Sequence, residues 1–168
     1  MPCRAIISAL VVCLFLAFAA VADADVREGD RAVEFVTVKD ARGKKARLRK
    51  YRKKVVVLTF GASWCAPCKK ELPALEKLAN KYGDGVVFLA INIDSSVAKG
   101  KKFMKQLGLK KVKSLFDPKK STVDSYDPPK MPSTFVIRRG VVKYVHAGFA
   151  KGDEKKLAKV IDRELKKQ

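Results

Sequence analysis

The feature that most constrains the fold is one stretch, residues 55–75, which reads VVVLTFGASWCAPCKKELPAL. It opens with a mostly apolar run rich in β-branched residues, which is typical of a strand buried on both faces. Cys65 and Cys68 follow a tryptophan, and leucines at helical spacing then predict a helix over residues 66–82. A strand, a Cys-x-x-Cys turn and a helix thus succeed one another directly. Three interpretations of the two cysteines are open: a redox pair, half of a metal site, or two buried thiols without a chemical role.

The N-terminus determines which compartment these cysteines meet. Residues 1–22 have the plan of a secretion signal, because Arg4 is followed by an apolar run and then by small residues. We predict cleavage after Ala22 or, as a second choice, after Ala24. An uncleaved membrane anchor is the alternative, although the run is slightly short of the ~20 apolar residues that a spanning helix needs. The expected mature protein is one exported domain, residues 23–168.

Cysteine usage separates the three interpretations of the pair. Cys3 and Cys13 leave with the signal, so the mature chain keeps only Cys65 and Cys68. A bridge that closes so short a loop adds little stability. A structural zinc site needs about four ligands, which one cysteine pair and the single histidine, His146, do not supply. We therefore predict a redox-active disulfide, and we expect no metal and no cofactor.

The chain is strongly basic, with a formal net charge of +20. Its basic residues crowd into residues 39–54 and 110–120. We interpret them as a solvated basic face that attracts anionic surfaces without specificity. No aromatic interleaving, zinc finger or recognition helix accompanies them, so we expect no specific nucleic-acid partner.

Hydrophobic periodicity predicts alternating strands and helices in a single α/β domain with a mixed central sheet. An N-terminal hairpin is expected, with a strand over 33–40 and a turn at Gly43. The further strands are predicted over 55–60, 86–94, 114–116, 133–137 and 141–148, and the helices over 66–82, 97–107, 122–126 and 153–165.

In this order of elements, residues 27–165 resemble the thioredoxin superfamily and, more closely, the exported TlpA/ResA-type thiol-disulfide oxidoreductases. The similarity includes the N-terminal hairpin, residues 55–75, the strand VVFLAINID and a later motif, MPSTFVIRRG, at 131–140. It implies a thioredoxin-like fold and a periplasmic monomer that reduces disulfides of exported proteins, with cytochrome c maturation as one setting. A membrane thiol carrier would then be its electron donor.

The two thiols are expected to differ in role. If Cys65 occupies the N-cap of the helix, its sulfur can accept the N–H of Cys68, and the helix dipole favours negative charge there. Cys65 should therefore be the attacking thiolate. Cys68, one turn inside the helix, should resolve the mixed disulfide.

Proton transfer needs a further residue. The thioredoxins carry a buried aspartate where this chain has Thr59, which does not titrate. Glu71 is the substitute candidate, because it lies one helical turn beyond Cys68 and the TlpA/ResA type has an acidic residue there. It could hold the proton of the second thiol. The alternative is a surface glutamate that merely suits the helix dipole.

Substrate contact is assigned to Trp64, Met131 and Pro132. The resemblance of MPSTFVI to the superfamily loop facing the active site predicts a cis Met131–Pro132 bond. It would place the Met131 backbone beside Cys65, where it can pair with a substrate strand. His146 is expected to be partly exposed and non-catalytic.

Three other classes of protein are alternatives. A peroxiredoxin needs a Pro-x-x-x-Thr/Ser-x-x-Cys loop, and no proline stands in residues 57–64. A non-enzymatic basic adaptor on a thioredoxin scaffold and a copper or haem carrier using the dithiol are the others. Redox direction stays open, because Ala66-Pro67 is neither the Gly-Pro of thioredoxin nor the Pro-His of strong oxidants.

Overall fold

The fold is built on a mixed sheet of six strands in the order β1-β4-β3-β2-β5-β6. The structure, a computed structural model, describes residues 25–167, so the predicted signal at 1–22 lies outside the described residues. The strands are β1 Lys39–Asp40, β2 Val55–Gly61, β3 Val86–Asn92, β4 Lys113–Phe116, β5 Ser133–Arg138 and β6 Val141–Ala147. They match the predicted strands to within about two residues, except at the N-terminus.

The centre of the sheet is the parallel pair β2 and β3, and every residue of both strands is buried. Their largely apolar sequences suit this burial, since each face packs against other parts of the chain. β5 pairs antiparallel with β2, with Thr59 opposite Thr134 and Phe60 opposite Ser133. The beginning of β5 therefore lies at the same edge of the sheet as the end of β2.

Alternation along β2 divides the core into two clusters. Leu58 and Phe60 face one cluster, where the Phe60 ring lies 5.2 Å from the ring of Tyr126 and 6.0 Å from that of Phe135. Val55 and Val57 face the other cluster, which contains the apolar sides of three helices. Because side chains alternate along a strand, Thr59 and Gly61 point toward the same side as these valines.

The helices are α1 Cys68–Ala79, α2 Val97–Gln106, α3 Ser121–Tyr126 and α4 Asp153–Lys166. α1 begins later than predicted: Ala66 and Pro67 form a turn, and Pro67 rather than Cys65 occupies the N-cap. Within residues 25–167, none of the helices combines the length and the apolar character that crossing a bilayer requires.

The predicted N-terminal hairpin is shorter than expected: backbone hydrogen bonds across its turn join Asp40 to Lys44 and Val38 to Ala46 and, among the described residues, go no further. Gly43 has a φ of 82°, and Lys39 bridges Lys45 across the turn. The segment before it is not a strand, because side chains bind its backbone: the N–H of Val36 donates to Oγ1 of Thr122 at 3.2 Å. Regular pairing is limited to β1, which joins β4 at the edge of the sheet.

The sequence did not predict the short 3₁₀ helix Leu48–Tyr51. The carboxylate of Glu34 holds its N-terminus by accepting hydrogen bonds from the backbone N–H groups of Leu48 and Arg49. A distant glutamate thus supplies the acceptor that the local sequence lacks, which is why periodicity alone does not reveal this element.

Candidate redox active site

Cys65 and Cys68 lie just beyond the end of β2, at the start of α1, and form a disulfide with a Cα–Cα distance of 5.3 Å. The N–H of Cys68 donates to Sγ of Cys65 at 3.3 Å, as the sequence predicted, although Cys65 precedes the N-cap. Cys65 keeps 4% of its surface exposed and Cys68 none. Cys65 is therefore the sulfur that an incoming disulfide can reach more readily.

The loop that carries the cysteines is held by a carboxylate that follows the end of the neighbouring strand, β3. Asp94 accepts hydrogen bonds from the N–H of Ser63 at 2.9 Å and from its hydroxyl at 2.8 Å. The side chain of Asn92 donates to the same carboxylate at 2.8 Å. Burial acts to raise the pKa of Asp94, but these hydrogen bonds outweigh it and lower the pKa. The ionised carboxylate fixes the loop in front of Cys65.

The active-site residues of α1 lie directly over residues of β2 that point toward the helix. Gly61 lies under Cys68, because a Cβ atom at Gly61 would be 3.4 Å from Sγ of Cys68. Thr59, two residues earlier on the same face, lies under Glu71, one helical turn later. Two strand residues span about 6.8 Å and one helical turn about 5.4 Å, so the two sets stay aligned.

Glu71 is buried, with 2% of its surface exposed. The interpretation as a surface glutamate is therefore wrong. The Thr59 hydroxyl donates to its Oε2 at 2.8 Å, and the Thr134 hydroxyl donates to its Oε1 at 2.6 Å. Burial raises the pKa of Glu71 to about 7, although both hydrogen bonds act to lower it. A carboxyl with this pKa can accept and release a proton near neutral pH.

The predicted cis peptide bond between Met131 and Pro132 is confirmed. Pro132 is buried directly before β5, at the end of the sheet where β2 leads into the disulfide loop. Met131 packs against the core cluster that contains Cys65. Trp64 stands beside Cys65 with 59% of its surface exposed. Trp64 thus precedes the disulfide in the chain, and Met131 and Pro132 lie at the end of the sheet where β2 leads into it.

Sequence reasoning missed Thr134 and Asp94 as parts of this site. Each is a polar residue at the end of a strong apolar pattern: Thr134 begins the run TFVI, and Asp94 ends the run VVFLAINID. A polar side chain that is buried needs a hydrogen-bond partner, so both could have been marked from the sequence. Their partners, Glu71 and Ser63, were beyond what the sequence predicts.

Comparison with known proteins places this geometry in a family. Residues 29–145 match the family model described as the AhpC/TSA family. This match spans more than half of the chain. The chain belongs to the AhpC/TSA family. The chain is also 33% identical over 127 residues to the thioredoxin-like protein YneN of Bacillus subtilis, covering 73% of each chain.

Two further similarities indicate the chemistry. The chain is 35% identical over 116 residues to the thiol-disulfide oxidoreductase ResA of Bacillus subtilis, covering 67% of this chain and 62% of ResA. A crystal structure described as the thiol:disulfide interchange protein DsbE of Chlorobium tepidum superposes with a TM-score of 0.77 at 32% identity. The superposition covers 83% of this chain and 99% of the Chlorobium tepidum chain.

The thioredoxin-like fold and the thiol-disulfide chemistry predicted from the sequence are confirmed. The protein is a thiol-disulfide oxidoreductase whose redox centre is the Cys65–Cys68 pair. Its substrates are disulfide-containing molecules. The roles of the individual residues follow from the geometry as proposals.

Proposed function

We propose that the protein acts as a reductant, transferring two electrons from its Cys65–Cys68 dithiol to disulfides of exported proteins. The observation that carries the proposal is the buried carboxyl of Glu71 one helical turn beyond the fully buried Cys68. Burial and a neighbouring carboxylate both disfavour a thiolate at Cys68. A dithiol whose thiolate form is poorly stabilised is a better electron donor, because stabilised thiolates are what make strong oxidants of this class.

The reaction begins at Cys65. Its thiolate attacks a substrate disulfide, forming a mixed disulfide and releasing one substrate thiolate. Cys68 then gives its proton to the carboxylate of Glu71, and its sulfur attacks Sγ of Cys65. The Cys65–Cys68 bond forms as the second substrate thiolate leaves, so the substrate gains two electrons and the protein loses two. A membrane thiol carrier is proposed to return them.

Substrate docking is proposed at the three residues around the disulfide. Trp64 offers an exposed apolar face, and the cis bond before the buried Pro132 is proposed to present the backbone of Met131 toward Cys65. An extended substrate segment can pair with that backbone in the manner of an added strand. The basic face is proposed to bind anionic surfaces without specificity.

The reduction potential tests the direction of electron flow. We expect equilibration with dithiothreitol or glutathione buffers to give a value below about −200 mV, on the side of thioredoxin rather than of strong oxidants such as DsbA at about −120 mV. The fraction of oxidised protein at each buffer ratio is measured by thiol labelling and mass spectrometry. A potential near that of DsbA would mean that the protein oxidises its partners.

Export is proposed to depend on residues 1–22. We expect N-terminal sequencing of protein recovered from outside the cytoplasm to begin near Asp23 or Asp25, because the small residues at 20, 22 and 24 suit signal cleavage. A variant with Arg replacing Ala22 should accumulate with its signal attached. Recovery of the unaltered chain in membranes with residue 1 still present would instead favour a membrane anchor.

A further inference from the structure

A histidine–carboxylate pair lies next to the buried carboxyl of the active site. His146 on β6 pairs with Asp153, the first residue of α4, with 2.9 Å between Nε2 and Oδ2. β6 runs antiparallel to β5, and His146 is directly opposite Thr134. Residues directly opposite each other in an antiparallel pair share one face of the sheet. The histidine therefore neighbours the threonine that donates to Glu71.

A small cavity joins the two groups. Glu71, Thr134, His146 and Asp153 all line it, and its remaining walls are largely apolar. The cavity offers a volume of about 10 Å³ to a water molecule, which is close to the room that one buried water needs. It also supplies the two or more polar partners that keep such a water in place.

Glu71 needs a route of this kind if it takes the proton of Cys68. Its carboxyl is buried under α1, and both of its oxygens are engaged by threonine hydroxyls. A threonine hydroxyl can donate one hydrogen bond and accept another, so Thr134 can connect Glu71 with a water. His146 and Asp153 lie on the way to solvent, since their side chains are 25% and 12% exposed.

We propose that His146, held by Asp153, carries protons between the buried carboxyl of Glu71 and solvent through a water molecule in this cavity. The inference rests on the role of Glu71 in the proposed function and extends it. His146 touches neither sulfur and acts through Glu71, so it is a positioning and relay residue rather than a catalytic one. The sequence predicted a partly exposed, non-catalytic histidine; the side chain is 25% exposed, and the proposed relay adds a role in resetting the site.

The proton balance of the relay is simple. Cys68 loses its proton to Glu71 as its sulfur attacks Cys65. Glu71 can take this proton only as a carboxylate, so a protonated Glu71 must first pass a proton through the Thr134 hydroxyl to the cavity water, which passes one of its own to the imidazole of His146. The proton taken from Cys68 later leaves by the same route. The imidazolium releases its proton to solvent. No electron moves in the relay, and an imidazole suits it because it can both accept and donate near neutral pH.

Charged and polar groups surround His146. Asp153 faces it as a carboxylate, because a hydrogen bond from the Ala150 N–H, with others from Lys156 and His146, lowers the pKa of Asp153 to about 2. Glu154 of α4 lines the same cavity. On β6, the Tyr144 hydroxyl lies 3.4 Å from Nδ1 of His146, and the two rings stack with centroids 6.2 Å apart. Lys156 is the one cation paired with Asp153 besides the histidine among the described residues.

The test separates the first attack from resolution. Reduced protein is mixed with oxidised glutathione in a stopped-flow or rapid-quench instrument, and mass spectrometry follows the mixed disulfide and the Cys65–Cys68 disulfide. We expect His146→Ala to leave the first attack unchanged and to slow resolution about five- to tenfold, a small part of the factor typical of direct general-base catalysis. Added imidazole should restore the rate with saturation.

Imidazole rescue distinguishes proton transfer from a structural role. The wild-type protein and Glu71→Gln control for catalysis by imidazole in solution, and neither should respond to it in a saturable way. His146→Gln and Asp153→Asn keep the shape of the pair, so they replace His146→Ala if that variant lacks a cooperative thermal transition. They too should slow resolution, and they should increase its solvent deuterium isotope effect.

The outcomes distinguish a failure of the proton relay from a failure of the proposed function on which it rests. Wild-type resolution in His146→Gln or His146→Ala, alongside slow resolution in Glu71→Gln, overturns the relay and leaves the proposed function standing. Slow resolution in His146→Ala without rescue, combined with a normal rate in His146→Gln, also overturns the relay, since only packing would then be at stake. Wild-type resolution in Glu71→Gln would remove the role of Glu71 itself.

Discussion

Replacing Cys68 with serine will turn the protein into a trap that stays covalently linked to its substrates through Cys65. Cys65 is the more accessible sulfur and accepts the N–H of residue 68, whereas Cys68 is fully buried. The first attack therefore proceeds in Cys68→Ser, but nothing is left to resolve the mixed disulfide. Insulin reduction with dithiothreitol as donor should fall on the order of a hundredfold or more.

The matched variant is Cys65→Ser, which should lose the same activity and yet trap few partners. Both variants are expressed with the signal, partners are captured from the exported fraction, and the linked peptides are identified by mass spectrometry. Partners attached mainly to Cys68 in Cys65→Ser would reverse the assignment of the two thiols. Normal turnover in either variant would end the redox interpretation of the pair.

Glu71→Gln is expected to slow resolution by about ten- to a hundredfold at neutral pH while leaving the first attack unchanged. The amide keeps the size of the carboxyl and can still bond Thr59 and Thr134, but it cannot take a proton from Cys68. General-base catalysis commonly contributes at least a hundredfold, and water or the substrate thiolate can replace part of it. The rate of Cys65–Cys68 formation is the quantity to measure, as a function of pH.

Glu71→Gln should also make the oxidised protein more stable than the wild type, and this difference in stability should grow as the pH rises. Because the pKa of Glu71 is raised to about 7 by burial, the folded state binds more protons than the unfolded state between about pH 4.5 and 7. Stability is lost through that window, and above it the cost of the buried charge is on the order of 3 kcal/mol. Glu71→Gln should recover most of the lost free energy of unfolding at pH 8 and little of it at pH 4.

A second buried glutamate provides the control of opposite sign. Burial acts to raise the pKa of Glu164, but hydrogen bonds from Lys167 and Arg163 outweigh it and lower the pKa. Its carboxylate therefore stabilises the fold above its unfolded pKa, and this contribution is lost on acidification. Glu164→Gln should destabilise at pH 8. Urea unfolding of both variants from pH 4 to 8 checks the two signs, and parallel curves would contradict the burial of a neutral Glu71.

The sequence was most informative where local pattern and burial coincide. The apolar run at 55–60 and the leucines after Cys68 placed β2 and α1 because each element buries a continuous face. The positions of Cys65 and Cys68 between them followed directly. The cis bond before Pro132 came from resemblance rather than from the residues, since a proline alone favours the trans form.

The environment of Glu71 depended on contacts that no local pattern encodes. Thr134, which bonds its carboxyl, is separated from it by 63 residues, and burial is what decides whether a glutamate is neutral or charged. The sequence also predicts a longer N-terminal hairpin than the structure has, because contacts with residues distant in the chain decide the conformation of this segment too. An alternating segment predicts a strand, but the hydroxyl of Thr122 bonds its backbone instead.

Trp64 gives the molecule an optical reporter at a single known place. It is the one tryptophan of the chain, and 59% of its surface is open to solvent beside Cys65. A partner that reaches the sulfur must cover the indole, which removes water from it and moves its emission toward shorter wavelengths. Docking and bond formation can therefore be timed separately on the unlabelled protein, with the serine variants holding the reaction at each stage.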